Sequence, residues 1–303
     1  MSISAVVDAV LSIALMVAIF VAFLFTTDLW KATLLGKIFA RKSRRSPLKD
    51  DMLRHPGQQL AREIDDLSSG LFFKLFMLIT ITIAFVMLFG STRPMSARLL
   101  LFLAFAVIVV LPFMIALRKT SKKLFRVRLG YDGELATGEE LNQLMRRGYY
   151  VFHDLVADTF NIDHIVIGPS GVYAVETKAR AKPNEKGSAS ATVKVEESIL
   201  KFPKGRDEAA IQQARNQAQW LCDFLRSSVG IEVPVFPVVA LPGWFVENGG
   251  WIGTGKNRCL VFNPKGANRF IGNGPEILTS QLVKQAAFQV EQKCRTVKPW
   301  AVL

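Results

Sequence analysis

Long apolar runs are concentrated in the first 117 residues, whereas the rest of the chain alternates short apolar runs with polar segments. Residues 5–25, 71–90 and 98–117 each approach the ~20 apolar residues that a membrane-spanning helix needs. The short segment 91–97 joins the second run to the third, which predicts a helical hairpin. A cleaved signal peptide is the alternative for the first run, and a buried hairpin of a soluble protein is the alternative for the other two. We expect an all-α, three-helix transmembrane region.

The basic residues between these runs predict an orientation. Residues 31–70 carry nine lysines and arginines and residues 118–128 carry six, whereas the 91–97 linker carries Arg93 alone. The positive-inside rule then places both basic segments in the cytoplasm and the N-terminus outside, as in a multi-pass protein of the inner, cytoplasmic membrane. The predicted organisation is a first transmembrane helix (1–30), a basic cytoplasmic segment (31–70), a transmembrane hairpin (71–117), a basic tether (118–128) and a cytoplasmic domain (129–303).

The basic segment contains a dense cluster formed by Arg41, Lys42, Arg44 and Arg45. Such a cluster contacts anionic lipid headgroups in some proteins, although a plain topology signal explains it equally well. Further along, residues 50–70 are expected to contain one short amphipathic helix near the membrane.

Beyond residue 128 the pattern is that of a compact α/β domain. Leu135, Leu141 and Leu144 are spaced for one helical face, with Glu134 in the first turn and Gly148 at the end. Residues 179–204 are polar and predict an insertion with a strand pair near residues 191–195. The other predicted elements are strands in 149–157, 161–178, 234–241 and 259–262 and helices in 207–227 and 275–292.

The segment 161–178, NIDHIVIGPSGVYAVETK, contains the most informative polar residues. Two β-branched runs flank a Pro-Ser-Gly turn, which predicts a β-hairpin. Glu176 and Lys178 are two residues apart and therefore share one strand face, and the hairpin brings Asp163 back beside them. Two carboxylates and a lysine at the end of an apolar hairpin suit a divalent metal and a phosphate. An exposed surface ion pair is the alternative.

Other features are weaker. Gly250–Asn257 approaches the P-loop pattern but has Asn257 where a hydroxyl residue belongs, so a glycine-rich turn is expected. His164 alternates with Asp163 and is expected on the other sheet face. For Trp220, Trp244 and Trp251, packing is expected rather than base stacking. The three cysteines are widely spaced, which favours a reducing compartment, and the net charge of +13 suits a polyanion or anionic lipid.

Residues 128–245 resemble the nuclease-related domain (NERD) family, a branch of the PD-(D/E)XK restriction-endonuclease-like superfamily. The resemblance rests on Gly133-Glu134, on the 161–178 hairpin with its Glu176-Thr177-Lys178 end, and on Gln213-Ala214. It implies a restriction-endonuclease-like core, in which a mixed central sheet is flanked by helices and a metal site lies at the end of the hairpin.

Carried over to this chain, the resemblance implies that Asp163 and Glu176 are metal ligands and Lys178 the catalytic lysine. Glu134 becomes an accessory carboxylate of the same site, and Gln213 a polar residue facing it. The implied activity is Mg²⁺- or Mn²⁺-dependent hydrolysis of phosphodiester bonds in cytoplasmic DNA or RNA, with DNA favoured as the partner. Two alternatives stay open: a catalytically silent module that binds nucleic acid or a protein partner at the membrane, and a mainly structural membrane protein.

Overall fold

The structure is a computed structural model, and its described residues are 50–89, 95–183, 191–196 and 198–298. The predicted first span at 5–25 and the basic cluster Arg41, Lys42, Arg44 and Arg45 lie outside the described residues. The helices are α1 (Gln58–Phe89), α2 (Met95–Phe105), α3 (Leu111–Asn142), α4 (Ala210–Val229) and α5 (Ser280–Cys294). The strands are β1 (Met52–Leu53), β2 (Tyr150–Val156), β3 (Asn161–Gly168), β4 (Gly171–Thr177), β5 (Thr192–Glu196), β6 (Ile199–Lys201), β7 (Arg206–Asp207), β8 (Val235–Ala240), β9 (Phe245–Glu247), β10 (Gly250–Ile252), β11 (Cys259–Phe262) and β12 (Arg295–Val297).

Two helical segments are long and apolar enough to cross a membrane, as judged by length and composition: Gln58–Met87 and Leu99–Arg147. Their most apolar windows have mean hydropathies of 2.2 and 3.0. The second segment contains most of α2, a π-helical stretch at Ala106–Val110, α3 and a 3₁₀ turn at Gln143–Arg147. Residues 65–124 belong to the first of two compact units. Within this unit, Lys74 Nζ donates to Thr120 Oγ1 at 2.7 Å, so α1 and α3 contact each other. The described part of the chain therefore contains two candidate spans, which overlap the predicted second and third apolar runs, whereas the predicted first run lies outside the described residues.

The helix bounds differ from the predicted ones. α1 begins at Gln58, so the short amphipathic helix expected in 50–70 and the second apolar run form one helix. α3 continues through the predicted tether 118–128, because lysine and arginine are good helix formers and no proline interrupts them. Glu134 consequently lies well inside α3 and not in the first turn of a separate helix.

The second compact unit contains a mixed six-stranded sheet with the order β10-β11-β8-β4-β3-β2. The strands β2, β3 and β4 are antiparallel neighbours, whereas β8 runs parallel to both β4 and β11. The predicted hairpin is confirmed, with Gly168 opposite Gly171 across its turn. Gly171 has φ +127°, and a Cβ there would lie 2.6 Å from the Phe236 ring, so the turn requires glycine.

Helices cover both faces of this sheet. Alternate residues of β3 and β4, such as Ile165 and Ala174, pack with Leu221 of α4 and with α5. The intervening residues, such as Val166 and Val175, pack with the opposite helical layer, which includes Leu141 of α3. The strand pleat therefore sends successive side chains into two apolar cores. Strands β5 and β6 of the polar insertion are the predicted strand pair, and they form a second sheet with β7 and β9 in the order β7-β6-β5-β9.

Residues 51–64 belong to the same compact unit as residues 125–297. β1 pairs with β12, and the Arg54 guanidinium forms a buried ion pair with Asp154 at 2.6 Å. The sequence alone predicts a separate basic segment over 31–70, whereas the structure assigns residues 51–64 of that segment to the C-terminal domain.

Candidate active site

The hairpin end brings Asp163 and Glu176 together. His164 pairs with Val175, so the next position in this antiparallel register places Asp163 across from Glu176 on one face. The Thr177 backbone N–H donates to Asp163 Oδ2 at 2.7 Å. Glu176 is 4% exposed, whereas Asp163 is partly accessible. The two predicted metal ligands therefore lie side by side, near the start of β3 and the end of β4.

Lys178 and Gln213 join this pair. The Lys178 ammonium donates to Glu176 Oε1 at 2.7 Å and to Gln213 Oε1 at 2.9 Å. The Lys178 backbone N–H donates to Ala240 O at 2.9 Å, and the Lys178 side chain is 24% exposed. The amine is thus fixed at the site while remaining within reach of solvent.

Gln217 binds the second carboxylate oxygen of Glu176, and the sequence does not predict this residue as part of the site. Its side chain is 1% exposed, and its Nε2 donates to Glu176 Oε2 at 2.6 Å and to Asn161 O at 3.0 Å. Gln217 follows Gln213 by four residues, so both lie on the same face of α4. That Gln-x-x-x-Gln spacing is the signal that points to it.

Glu134 supplies a third carboxylate from α3. The Gly57 backbone N–H donates to it, which links the segment before α1 to the site. Burial, followed by the negative charges of Asp154 and Glu176, raises the Glu134 pKa to about 8. Burial and the charges of Glu176 and Glu134 likewise raise the Asp163 pKa well above its usual range, against the opposing effects of the Thr177 N–H and Lys178. All five predicted site residues therefore lie in one electrostatically connected group.

We expect replacement of Glu134 by glutamine to stabilise the folded domain increasingly as the pH rises. Between about 4.5 and 8 the folded state binds more protons at Glu134 than the unfolded state, so wild-type stability falls with pH across that window. The Gln variant lacks this dependence. Thermal unfolding midpoints at the two ends of the window measure the effect. An equal difference between variant and wild type at both ends would contradict it.

Close packing at Gly133 places Glu134 against the hairpin end. A Cβ on Gly133 would lie 2.4 Å from the Ala179 Cβ and 3.5 Å from the Pro242 ring. Only a residue without a side chain lets α3 approach the end of β4 this closely.

Gly133→Ala is expected to destabilise the domain by about 1–3 kcal/mol, as overpacking does. Because the clash joins two Cβ atoms, adding Ala179→Gly should restore most of the lost stability. Gly70→Ala is the matched control, since a Cβ at that helical position meets nothing within 4 Å. Chemical denaturation of the four proteins measures the effect, and a double variant no more stable than Gly133→Ala would refute the steric explanation.

The donor chemistry of the site fits a hard divalent cation. Asp163 and Glu176 offer carboxylate oxygens, the ligands that Mg²⁺ and Mn²⁺ prefer. Burial, and then the neighbouring carboxylates, raise the pKa of Asp163 and Glu134, and a bound cation would act in the opposite direction by favouring their ionised forms. Within the described ranges, no group of three or more His, Cys, Asp and Glu residues is arranged to hold a metal ion.

The weaker motifs have structural roles. His164 is fully buried on the face opposite Asp163, as predicted, and its Nδ1 lies 2.9 Å from His153 Nδ1. In Gly250–Asn257, β10 leads through a short 3₁₀ turn directly into β11, so the glycine-rich turn is confirmed. Trp244 is 2% exposed and packs in a core, as predicted. The three cysteines, Cys222, Cys259 and Cys294, are free thiols.

Comparison with known proteins relates part of the chain to a family and to another protein. An uncharacterized protein of Bacillus anthracis is 36% identical over 76 residues, a region that covers 23% of this chain and 36% of the relative. The chain therefore matches about a third of that relative's length. No solved structure matches the chain. The family described as NERD, nuclease-related domain, matches residues 129–242, which include Glu134, Asp163, Glu176, Lys178 and Gln213. A nuclease-related domain is thus found at residues 129–242.

Proposed function

We propose that this chain is a membrane-anchored, divalent-metal-dependent nuclease with a restriction-endonuclease-like core. Its substrate would be the phosphodiester bonds of cytoplasmic DNA or RNA, with DNA favoured. The observation that carries the proposal is the Lys178 ammonium, which bonds Glu176 and Gln213 at 2.7 and 2.9 Å beside Asp163. A fixed amine beside two carboxylates at a solvent-accessible sheet edge is suited to phosphoryl chemistry.

Asp163 and Glu176 would hold Mg²⁺ or Mn²⁺. When bound, the ion supplies an activated water and positive charge beside the phosphate. Lys178 orients the attacking water or neutralises charge that develops on the phosphate oxygens. Gln213 keeps the Lys178 amine in place, and Gln217 keeps Glu176 turned toward the site. Glu134, whose pKa burial and neighbouring carboxylates raise to about 8 in the metal-free site, is an accessory carboxyl group there.

Membrane anchoring is supported by the two long apolar segments and by the basic residues around them. A domain on the cytoplasmic face follows from the positive-inside rule. The segment before α1 contributes Gly57 and Arg54 to the domain, so a fragment that begins at residue 120 would lack both. The 303-residue chain in mild detergent is therefore the material for biochemical tests.

The deciding experiment incubates this chain with single- and double-stranded DNA and RNA, in the presence of Mg²⁺, Mn²⁺ or a chelator. We expect cleavage products with the ions and none with the chelator. The absence of products from all four substrates with both ions would refute the enzymatic assignment.

A catalytically silent module is the second candidate, and one observation favours it. Both carboxylate oxygens of Glu176 already accept hydrogen bonds, Oε1 from Lys178 and Oε2 from Gln217. These two bonds occupy lone pairs that Glu176 would otherwise offer to a metal. Salt-sensitive binding of nucleic acid without any cleavage is the result that distinguishes this candidate.

A further inference from the structure

A row of cations begins at the candidate site and continues along the chain. Lys178, Arg180 and Lys182 occupy alternate positions directly after β4, and residues 177–184 contain no carboxylate. The first is bonded within the site, whereas the next two lie against the four-stranded sheet and the loop that precedes β9. The row therefore connects the site to the polar insertion.

The side-chain cations of Arg180 and Lys182 each lie over an aromatic ring. The Arg180 guanidinium lies 4.4 Å from the centroid of the Phe202 ring, and the Lys182 ammonium lies 5.8 Å from that of Trp244. Phe202 is 8% exposed and Trp244 is 2% exposed, so these rings support the cations and are not available for base stacking.

The charge of Arg180 is only partly neutralised. Its Nη2 donates to Arg206 O at 3.2 Å and lies 3.5 Å from Asp207 Oδ2, a long ion pair. The other oxygen of Asp207 is engaged by the N–H groups of Ala209 and Ala210 at the start of α4. A third of the Arg180 side chain is exposed, and Lys182 is exposed. Both can therefore meet an external anion.

We propose that Lys178, Arg180 and Lys182 form a phosphate track, along which one strand of the nucleic acid runs from the cleavage site toward the four-stranded sheet. This inference rests on the proposed function and specifies how its substrate is held. Contacts to phosphates position a nucleic acid without reading its sequence, and the supporting rings are buried. The track therefore binds the sugar–phosphate backbone independently of base sequence.

The test measures binding of fluorescent DNA oligonucleotides in chelator, so that cleavage does not interfere, over a range of salt concentrations. Each neutralised phosphate contributes roughly 0.7–0.9 to the slope of log affinity against log salt. Arg180→Gln and Lys182→Gln should each reduce that slope by about 1 and weaken binding equally for unrelated sequences. Arg180→Lys keeps the charge and should retain the slope. Lys284→Gln, an exposed site on α5, is the matched control and should change nothing.

The outcomes separate the track from the nuclease proposal. Reduced slopes in both variants support the track even if the wild type cleaves nothing, in which case the nuclease proposal alone fails. Unchanged slopes in an enzyme that cleaves overturn the track and leave the nuclease in place. A wild-type chain that neither binds nor cleaves nucleic acid overturns both.

Discussion

Lys178→Ala is expected to lower metal-dependent cleavage by at least about 100-fold, the effect typical of losing one stabilising donor in an active site. The ammonium is the group that contacts both Glu176 and Gln213, and the proposed function assigns it to the phosphate, so its removal would eliminate that donor. The loss of its positive charge also removes an effect that lowers the Asp163 pKa. The Asp163 pKa would then rise further, and the carboxyl group would be a poorer ligand for the proposed metal ion. Initial rates on the best substrate, at saturating metal, measure the loss.

The fold should survive this substitution, because the Lys178 side chain is partly exposed and its backbone hydrogen bond to Ala240 does not depend on the side chain. Lys284→Ala on α5 serves as the matched control and should retain full activity. Cleavage by Lys178→Ala at the wild-type rate, with the domain folded, would exclude Lys178 as the catalytic lysine.

The strands around the site are predictable from the sequence because their signals are local. Alternating β-branched residues and a Pro-Ser-Gly turn define both strands of the hairpin, and period-two spacing places Glu176 and Lys178 on one face. Asp163 follows from the register that the short turn imposes. The core residues Val166 and Val175 follow from the same alternation.

The helix bounds are less predictable, because the decisive contacts are distant in sequence. Gly133 suggests the beginning of a helix, yet it is a packing position against Ala179 inside α3. The basic stretch 118–128 suggests a tether, although its lysines and arginines favour helix. Gln217 was missed because its four-residue spacing from Gln213 gains a meaning only when the position of its partner Glu176 is known.

The contribution of the segment before α1 was also beyond sequence reasoning. Arg54 and Asp154 are 100 residues apart, and no local pattern pairs one of 38 lysines and arginines with one of 25 acidic residues. The same limit applies to Gly57, whose backbone N–H reaches the Glu134 carboxylate. These contacts make residues 51–64 part of the domain that contains the site.

Arg54→Ala is expected to destabilise this domain by about 3 kcal/mol, the lower end of the cost of removing one partner from a buried ion pair. The Arg54 and Asp154 side chains are 6% and 4% exposed, so the remaining carboxylate would stay buried without its countercharge. The N–H donors from Gln59 and Asn161, at 2.9 and 2.7 Å, persist and keep the cost from being larger. Urea unfolding in mild detergent, followed by tryptophan fluorescence, measures the change.

Arg295→Ala is the control, since Arg295 is an arginine of β12 whose ion pair with Glu291 is 40% and 32% exposed. Its loss should cost less than about 1 kcal/mol, as exposed pairs do. Adding Asp154→Asn to Arg54→Ala removes the unpaired charge and should recover part of the stability. Equal losses of stability in Arg54→Ala and Arg295→Ala would refute a buried ion pair.

The Asp154 charge also raises the Glu134 pKa, so the unpaired carboxylate in Arg54→Ala should shift the pH dependence of stability in the same variant. A stability change coupled to that pH shift would show that the segment before α1 and the candidate active site form one electrostatic unit.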